Sequence, residues 1–247
     1  MLKIAHITDT HISEEDQFPD GIENRDRFLR TLEDIRSQDV DLIIHTGDVC
    51  YPQGCKSIYT WLREILESTE IPYILTPGNH DNVFMMQEVF NLKDLPAKVI
   101  TTGAVAMKGQ SLLFLDSSSE RLTMKQILWL KREIEIQDDQ LFLFQHHPPC
   151  SCGVRVMDTK YPYKTPELFQ KTIRDTGRSL ILFCGHYHIE KEIRLGSPPL
   201  TVYVTPPTLG SLDPAAEDYV IKDHHPGWRD ISIEKQKLIH TGCHYLP

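Results

Sequence analysis

At 247 residues, of which 40% are hydrophobic, the chain is long enough to bury one sizeable core. A formal net charge of -9, with no cluster of Lys and Arg, argues against a groove for a nucleic-acid polymer. No apolar stretch approaches the roughly 20 residues of a membrane span, and the N-terminus enters a predicted strand directly, so a soluble, cytoplasmic protein with no membrane partner is expected. The six cysteines, at 50, 55, 150, 152, 184 and 243, lack zinc-ribbon spacing and are expected to be reduced thiols, with Cys150 and Cys152 packed in a loop.

Taken in chain order, residues 2–8 form a short apolar run of β character that ends at Asp9-Thr10-His11. Residues 22–36 carry Phe28, Leu32 and Ile35 at helical spacing. A second strand, 42–46, runs into Gly47-Asp48, and a second helix, 56–67, carries Ile58, Trp61, Leu62, Ile65 and Leu66. A third strand, 73–76, leads to Gly78-Asn79-His80-Asp81. Strands alternating with helices predict βαβ units and a largely parallel arrangement in this half.

A strand is predicted over 111–116 and a helix over 123–136, with Thr123 as its cap. The strand 141–145 precedes His146-His147, and a helix over 166–175 passes through Gly177 into the strand 180–184, which ends at Gly185-His186-Tyr187-His188. Beyond Gly185, Pro198-Pro199, Pro206-Pro207, Pro214 and Pro226-Gly227 separate short alternating runs such as 201–204 and 228–233. Residues 196–247 are therefore expected to form antiparallel strands and substrate-side loops.

Five strand ends thus deliver Asp, His and Asn toward what reads as one edge of a sheet. In open α/β sheets the ligand crevice lies at the carboxyl ends of the strands. Short carboxylates and imidazoles fixed there can converge on two metal ions a few ångströms apart. These residues run from 9 to 188, so a single domain over 1–247 is the economical reading.

The ordered fragments Asp-x-His, Gly-Asp, Gly-Asn-His-Asp, His and Gly-His-x-His resemble the calcineurin-like metallophosphoesterase superfamily over nearly the whole chain. The resemblance implies an α/β fold: a four-layer αββα sandwich of two mixed β-sheets covered by helices. It implies that Asp9, His11, Asp48 and His188 hold one metal ion, and that Asp48, Asn79, His146 and His186 hold the other, with Asp48 bridging. Oxygen and imidazole donors suit two divalent or trivalent ions among Fe, Mn, Zn and Co. A water activated by both ions would be the nucleophile, and His80 would contact the phosphate and assist the leaving oxygen. Asp81 would either orient His80 or cap the next helix.

His146 and His147 would point to opposite faces if their strand continued through them, leaving only one as a ligand. His146 is the one the resemblance selects. His45 is expected to hydrogen-bond near the site without being a ligand, Tyr187 to turn away from it, and Arg229 to form a structural ion pair.

Within the superfamily, residues 6–11, 115–118 and 146–149 resemble the branch of class III cyclic nucleotide phosphodiesterases and glycerophosphodiesterases. Thr205-Pro206-Pro207-Thr208, Asp213-Pro214 and Pro226-Gly227-Trp228-Arg229 resemble the C-terminal pattern of bacterial cyclic-AMP phosphodiesterases. Pro207, commonly Ser in that pattern, and the lack of a Gly between Ser119 and Thr123 are departures from it. The expected substrate is a small phosphodiester, 3′,5′-cyclic AMP first, with a glycerophosphodiester or broad phosphodiester activity as the alternative. A noncatalytic metal-binding scaffold is disfavoured because every ligand and His80 are retained. Related enzymes form dimers and larger assemblies, so a homo-oligomer stays open.

Overall fold

The computed structural model describes residues 1–17, 21–90, 98–137, 139–197 and 199–247. Pro198, one of the expected separators, lies outside them. The first half contains β1 (Leu2–Ile7), α1 (Asn24–Ser37), β2 (Leu42–His45), α2 (Lys56–Ser68), β3 (Tyr73–Leu75), α3 (Val83–Phe90), β4 (Lys98–Val99), β5 (Thr102–Met107) and β6 (Gln110–Leu115). There follow α4 (Met124–Ile136), β7 (Leu141–Phe144), α5 (Arg155–Lys160), α6 (Pro166–Thr176), β8 (Leu180–Cys184), β9 (Lys191–Leu195) and β10 (Leu200–Val204). The chain closes with β11 (Ser211–Leu212), β12 (Ile221–Asp223), β13 (Gly227–Glu234) and β14 (Lys237–Tyr245).

Among the described residues two six-stranded sheets form, ordered β14-β13-β1-β2-β3-β4 and β5-β6-β7-β8-β10-β9, with β11 and β12 paired in a small two-stranded one. In the first, β1 to β4 run parallel, as the βαβ pattern predicts, and β13 adds antiparallel to β1 with Leu2 opposite Ile233. In the second, β6, β7, β8 and β10 run parallel between antiparallel edges β5 and β9. The five strands that lead to the expected ligands are therefore split between two sheets, β1 to β3 in one and β7 and β8 in the other, and not gathered on one sheet edge.

Side-chain alternation builds three core layers from these strands. Leu2, Ile4, Leu42, Ile44 and Ile74 meet Leu112, Phe114, Phe142, Phe144, Ile181 and Phe183 between the sheets. The opposite faces, Ala5, Ile7 and Ile43 on one side and Leu113, Leu143 and Leu182 on the other, pack under helices α1 to α3 and α4 to α6. This gives the four-layer αββα sandwich, and strands buried on both faces explain runs such as Leu141–Phe144 with no polar residue. The rings of Phe114, Phe144, Phe183 and Tyr203 stack across four adjacent strands, with centroids 5.4, 5.2 and 5.3 Å apart.

Local signals also hold. The Thr123 hydroxyl accepts from the Gln126 backbone while the Gln126 side chain accepts from Thr123 N–H, a capping box at the start of α4. Gly177 ends α6 in the left-handed region. All six cysteines are free, and among the described residues no helix is long and apolar enough to cross a membrane.

Arg229 is buried between the sheets and donates to neutral acceptors, Thr205 Oγ1, Thr241 Oγ1 and Val204 O. Its role is structural, as expected, but it works through hydroxyls and a carbonyl, with its guanidinium 5.2 Å over the Tyr203 ring.

Candidate metal centre

The carboxyl ends of the two sheets face the same space, and the loops leaving them run in step. Asp9 N–H donates to Gly47 O and His11 N–H to Asp48 O, each at 3.0 Å, so the loops after β1 and β2 travel side by side. Asp9, His11, Asp48, His186 and His188 all have positive φ, between 44° and 68°. That conformation costs non-glycine residues about 1 kcal/mol or more each, and it persists where the surroundings over-determine it, commonly at functional sites.

Two glycines make the close approach possible. A Cβ on Gly185 would stand 2.0 Å from Thr8 Oγ1 and 2.3 Å from Asp9 Oδ2, and one on Gly78 would stand 2.2 Å from Asp48 Oδ1. The loop after β8 therefore presses against Asp9, and the loop after β3 against Asp48.

Asp9 Oδ2 accepts from Thr8 Oγ1 and His186 N–H. Its other oxygen, Oδ1, is buried without a hydrogen-bond partner. It lies 3.4 Å from His188 Nε2 and 3.9 Å from both His11 Nε2 and His146 Nε2. Asp48 accepts from His80 N–H through Oδ1, while Oδ2 lies 3.7 Å from His11 Nε2 and 3.2 Å from His146 Nε2. Asp9, His11 and His188 form one cluster with candidate ligand atoms all within 4.8 Å of one another, and Asp9, Asp48 and His146 form a second. An unpartnered buried carboxylate oxygen and an unpartnered buried His146 Nε2 facing one space are what a cation would satisfy, so the residues fit metal ions.

The outer contacts select which nitrogen is presented. His146 Nδ1 donates to Thr46 O, leaving Nε2 for the site, and His186 Nε2 donates to Tyr161 O, leaving Nδ1. His188 Nδ1 pairs with the Tyr219 hydroxyl at 3.0 Å. Such partners fix tautomer and ring orientation in metal sites.

Burial favours the neutral forms here, but charge pairing overrides it for the acids. Burial would raise the Asp9 and Asp48 carboxyls, yet His188 beside the first and His146 beside the second hold both below the usual range. Burial would lower His146, and Asp48 raises it instead. His11, with burial dominant, falls to about 3, and His45 and His186 to about 4. Carboxylates kept ionised, with the imidazoles of His11 and His186 kept neutral beside them, suit cation binding.

Above the clusters opens a cavity of about 420 Å³ lined by His11, Asp48, Asn79, His80, His186 and His188. Asn79 is exposed to it, and His146 is buried beneath it. His80 is half-buried, and its Nδ1–H donates to Pro52 O at 2.7 Å, which makes Nε2 the ring nitrogen free for a ligand.

Asp81 fills neither of its two expected roles. Its carboxylate accepts from Gly78 N–H, Val49 N–H and the Tyr59 hydroxyl, binding the loop after β3 to the loop after β2. The Pro52 carbonyl orients His80, and Asn82 Oδ1 caps α3 through Met85 N–H. Burial and the nearby Asp48 push the Asp81 carboxyl up to about 6.

His45 stands behind the site as expected, accepting from Gly47 N–H and paired with Thr10 Oγ1. Tyr187 turns into the core under the helices. The expected alternation of His146 and His147 does not arise, because β7 ends at Phe144. Both imidazoles stay beside His186, with His147 Nδ1 paired to Ser117 Oγ. Sequence reasoning missed Asn24, Tyr51, Met157, Tyr161, Leu209 and Tyr219 in the cavity wall. Asn24 opens α1, and the others sit on loops or on the short helix α5 and its end, where neither periodicity nor a motif marks them.

A family model described as calcineurin-like phosphoesterase matches residues 2–190. A "probable cyclic nucleotide phosphodiesterase" of Fibrobacter succinogenes is 34% identical over 93% of this chain and 88% of its own length. A 3′,5′-cyclic adenosine monophosphate phosphodiesterase of Vibrio vulnificus is 25% identical over 97% of this chain and 88% of its own. Among solved structures, a dimetal phosphatase from Danio rerio superposes with a TM-score of 0.65 at 11% identity, covering 93% of this chain and 94% of that one, a likeness of fold.

Proposed function

The chain belongs to the calcineurin-like phosphoesterase family, and from that premise we propose that it is a two-metal phosphodiesterase acting on 3′,5′-cyclic nucleotides, cyclic AMP foremost. The observation that carries this reading is the position of Asp48, whose Oδ2 faces both His11 and His146. We assign Asp9, His11, Asp48 and His188 to one ion and Asp48, Asn79, His146 and His186 to the other. Their oxygen and imidazole donors are compatible with Fe, Mn, Zn or Co.

Two such ions, when bound, would neutralise the phosphate oxygens and lower the pKa of an attacking water. The protein's own part is positional. Asp9 and Asp48 are held by Thr8, His186 and His80, so the carboxylates need not reorganise as charge develops. His80, fixed through Nδ1 by Pro52 O, directs Nε2 at the cavity, where a protonated ring would donate to the departing ester oxygen. Asp81 is a positioning residue that holds the His80 loop against the Asp48 loop.

The similarity to relatives named as cyclic nucleotide phosphodiesterases supports a cyclic substrate, and the cavity volume suits a small diester better than a polymer. The test is hydrolysis of 3′,5′- and 2′,3′-cyclic AMP, glycerophosphodiesters and bis-p-nitrophenyl phosphate by chelator-treated protein with and without added manganese. Metal-dependent turnover favouring 3′,5′-cyclic AMP is expected. Preference for glycerophosphodiesters would replace the substrate assignment, and no turnover of any ester with metal bound would leave a metal-binding scaffold.

A further inference from the structure

Three tyrosines stand in the cavity wall, each tied to a different histidine of the site, and each keeps part of its surface open. Tyr219, 42% exposed, pairs its hydroxyl with His188 Nδ1. Tyr161, 47% exposed, gives its backbone carbonyl to His186 Nε2. Tyr51, 39% exposed, meets the site through its ring: its centroid is 6.2 Å from those of both His80 and His11, and its plane is tilted 24° from that of His80.

Tyr51 sits on an anchored segment. Its N–H donates to Ile12 O, the neighbouring Cys50 bridges to Ile12, and the next residue, Pro52, receives the His80 Nδ1–H. One short stretch therefore fixes the His80 ring and presents an aromatic face beside it. An aromatic face held in place before binding loses little freedom when a flat group settles on it.

The chemistry decides which of the three rings a nucleoside would meet. If His80 serves the departing oxygen, the sugar carrying that oxygen lies on the His80 side of the phosphate. The base hangs from that sugar, and Tyr51 is the cavity-wall ring that lies alongside His80. We propose that Tyr51 is the stacking platform for the nucleobase, a subsite that takes a planar heterocycle and sets the preference for nucleotides over open-chain diesters. This inference rests on the assignment of the leaving-group side to His80 in the proposed function.

Binding tests it without depending on turnover. In the manganese-loaded protein, calorimetric affinities for 5′-AMP and ribose 5-phosphate differ only by the contribution of the base. An advantage of about 10-fold for 5′-AMP is expected, in keeping with base stacking on an aromatic side chain. It should persist in Tyr51→Phe and collapse toward parity in Tyr51→Leu and Tyr51→Ala, with metal content unchanged. The same advantage in Tyr51→Leu as in the native protein, or no advantage in the native protein, would overturn the proposal. A base advantage that depends on Tyr51 in a protein that fails to hydrolyse cyclic nucleotides would leave the subsite standing and remove the proposed activity. Hydrolysis of cyclic AMP with no base advantage would do the reverse.

Discussion

Asp48 Oδ2 lies 3.2 Å from His146 Nε2, and the two residues arrive from different sheets, Asp48 after β2 and His146 after β7. The same oxygen is 3.7 Å from His11 Nε2, so one carboxylate joins imidazoles assigned to both metal positions. On the proposed assignment, Asp48→Ala should remove a ligand shared by both ions. The expected result is fewer than two equivalents of retained metal and a loss of turnover of about 10²-fold or more, since each ion supplies several kcal/mol of charge stabilisation. Elemental analysis after gel filtration, run beside an assay, checks this; two retained equivalents with native turnover would refute the bridging role.

Gly185→Ala should damage the site from behind. The new Cβ would fall 2.0 Å from Thr8 Oγ1 and 2.3 Å from Asp9 Oδ2, so either Asp9 or the loop after β8 must move. Forcing a methyl into a packed interior costs about 1–3 kcal/mol, and the Asp9 oxygen it would strike is held by Thr8 Oγ1 and His186 N–H. Lower denaturant stability of the metal-free protein together with weaker metal binding is expected. Loss of stability with native metal affinity would show that Asp9 is not displaced.

What could be read from the sequence follows from where each element's information lies. The strands before the site residues are buried on both faces, so Leu141–Phe144 and Leu180–Cys184 announce themselves as unbroken apolar runs, and the polar residues after them stand out as ends. Thr123 and Gly177 marked helix boundaries because capping is a contact within a few residues. Pairing partners are another matter: Leu2 lies opposite Ile233, and nothing local in β1 encodes that partner, so the division of the ligands between two facing sheets was not legible. β5 hides behind small residues, and the edge strand β14 behind polar ones such as His240 and Thr241. Tyr51 belongs to an irregular loop whose course depends on Ile12 and His80, contacts between segments far apart in sequence.

His6 gives the fold a pH dependence of its own. Its ring is buried between the sheets, with Nε2 on Thr46 Oγ1 and Nδ1 on Thr205 Oγ1, and burial, aided by the nearby Arg229, lowers it well below the usual 6.5. The unfolded chain takes up a proton at this residue below about pH 6.5 while the folded chain does not, so stability is full above that pH and falls as pH drops below it. Between pH 7.5 and 5.5, His6 alone should remove about 1.4 kcal/mol, one pK unit of linkage. Urea unfolding of chelated native protein and of His6→Asn at the two pH values measures this: the native protein should lose about that much more than the variant. Parallel pH dependences would mean that the His6 ring is protonated in the folded state.

His80 is the residue whose role can be separated from metal binding by choice of leaving group. Its backbone N–H supports Asp48 Oδ1 and its Nδ1–H is taken by Pro52 O, so truncating the ring leaves the backbone contact to Asp48 in place. His80→Ala should therefore keep both metal equivalents. If the ring donates a proton to the departing oxygen, the loss of turnover should be about 10²-fold or more for substrates that expel a sugar alkoxide, the usual range for a positioned general acid. A p-nitrophenolate departs with little need of a proton, so the loss with bis-p-nitrophenyl phosphate should be much smaller. Because both substrates meet the same metals, a purely structural effect of the substitution would lower both rates together. Equal losses with the two leaving groups would assign His80 to phosphate binding, and they would also remove the leaving-group argument that places the nucleobase on Tyr51.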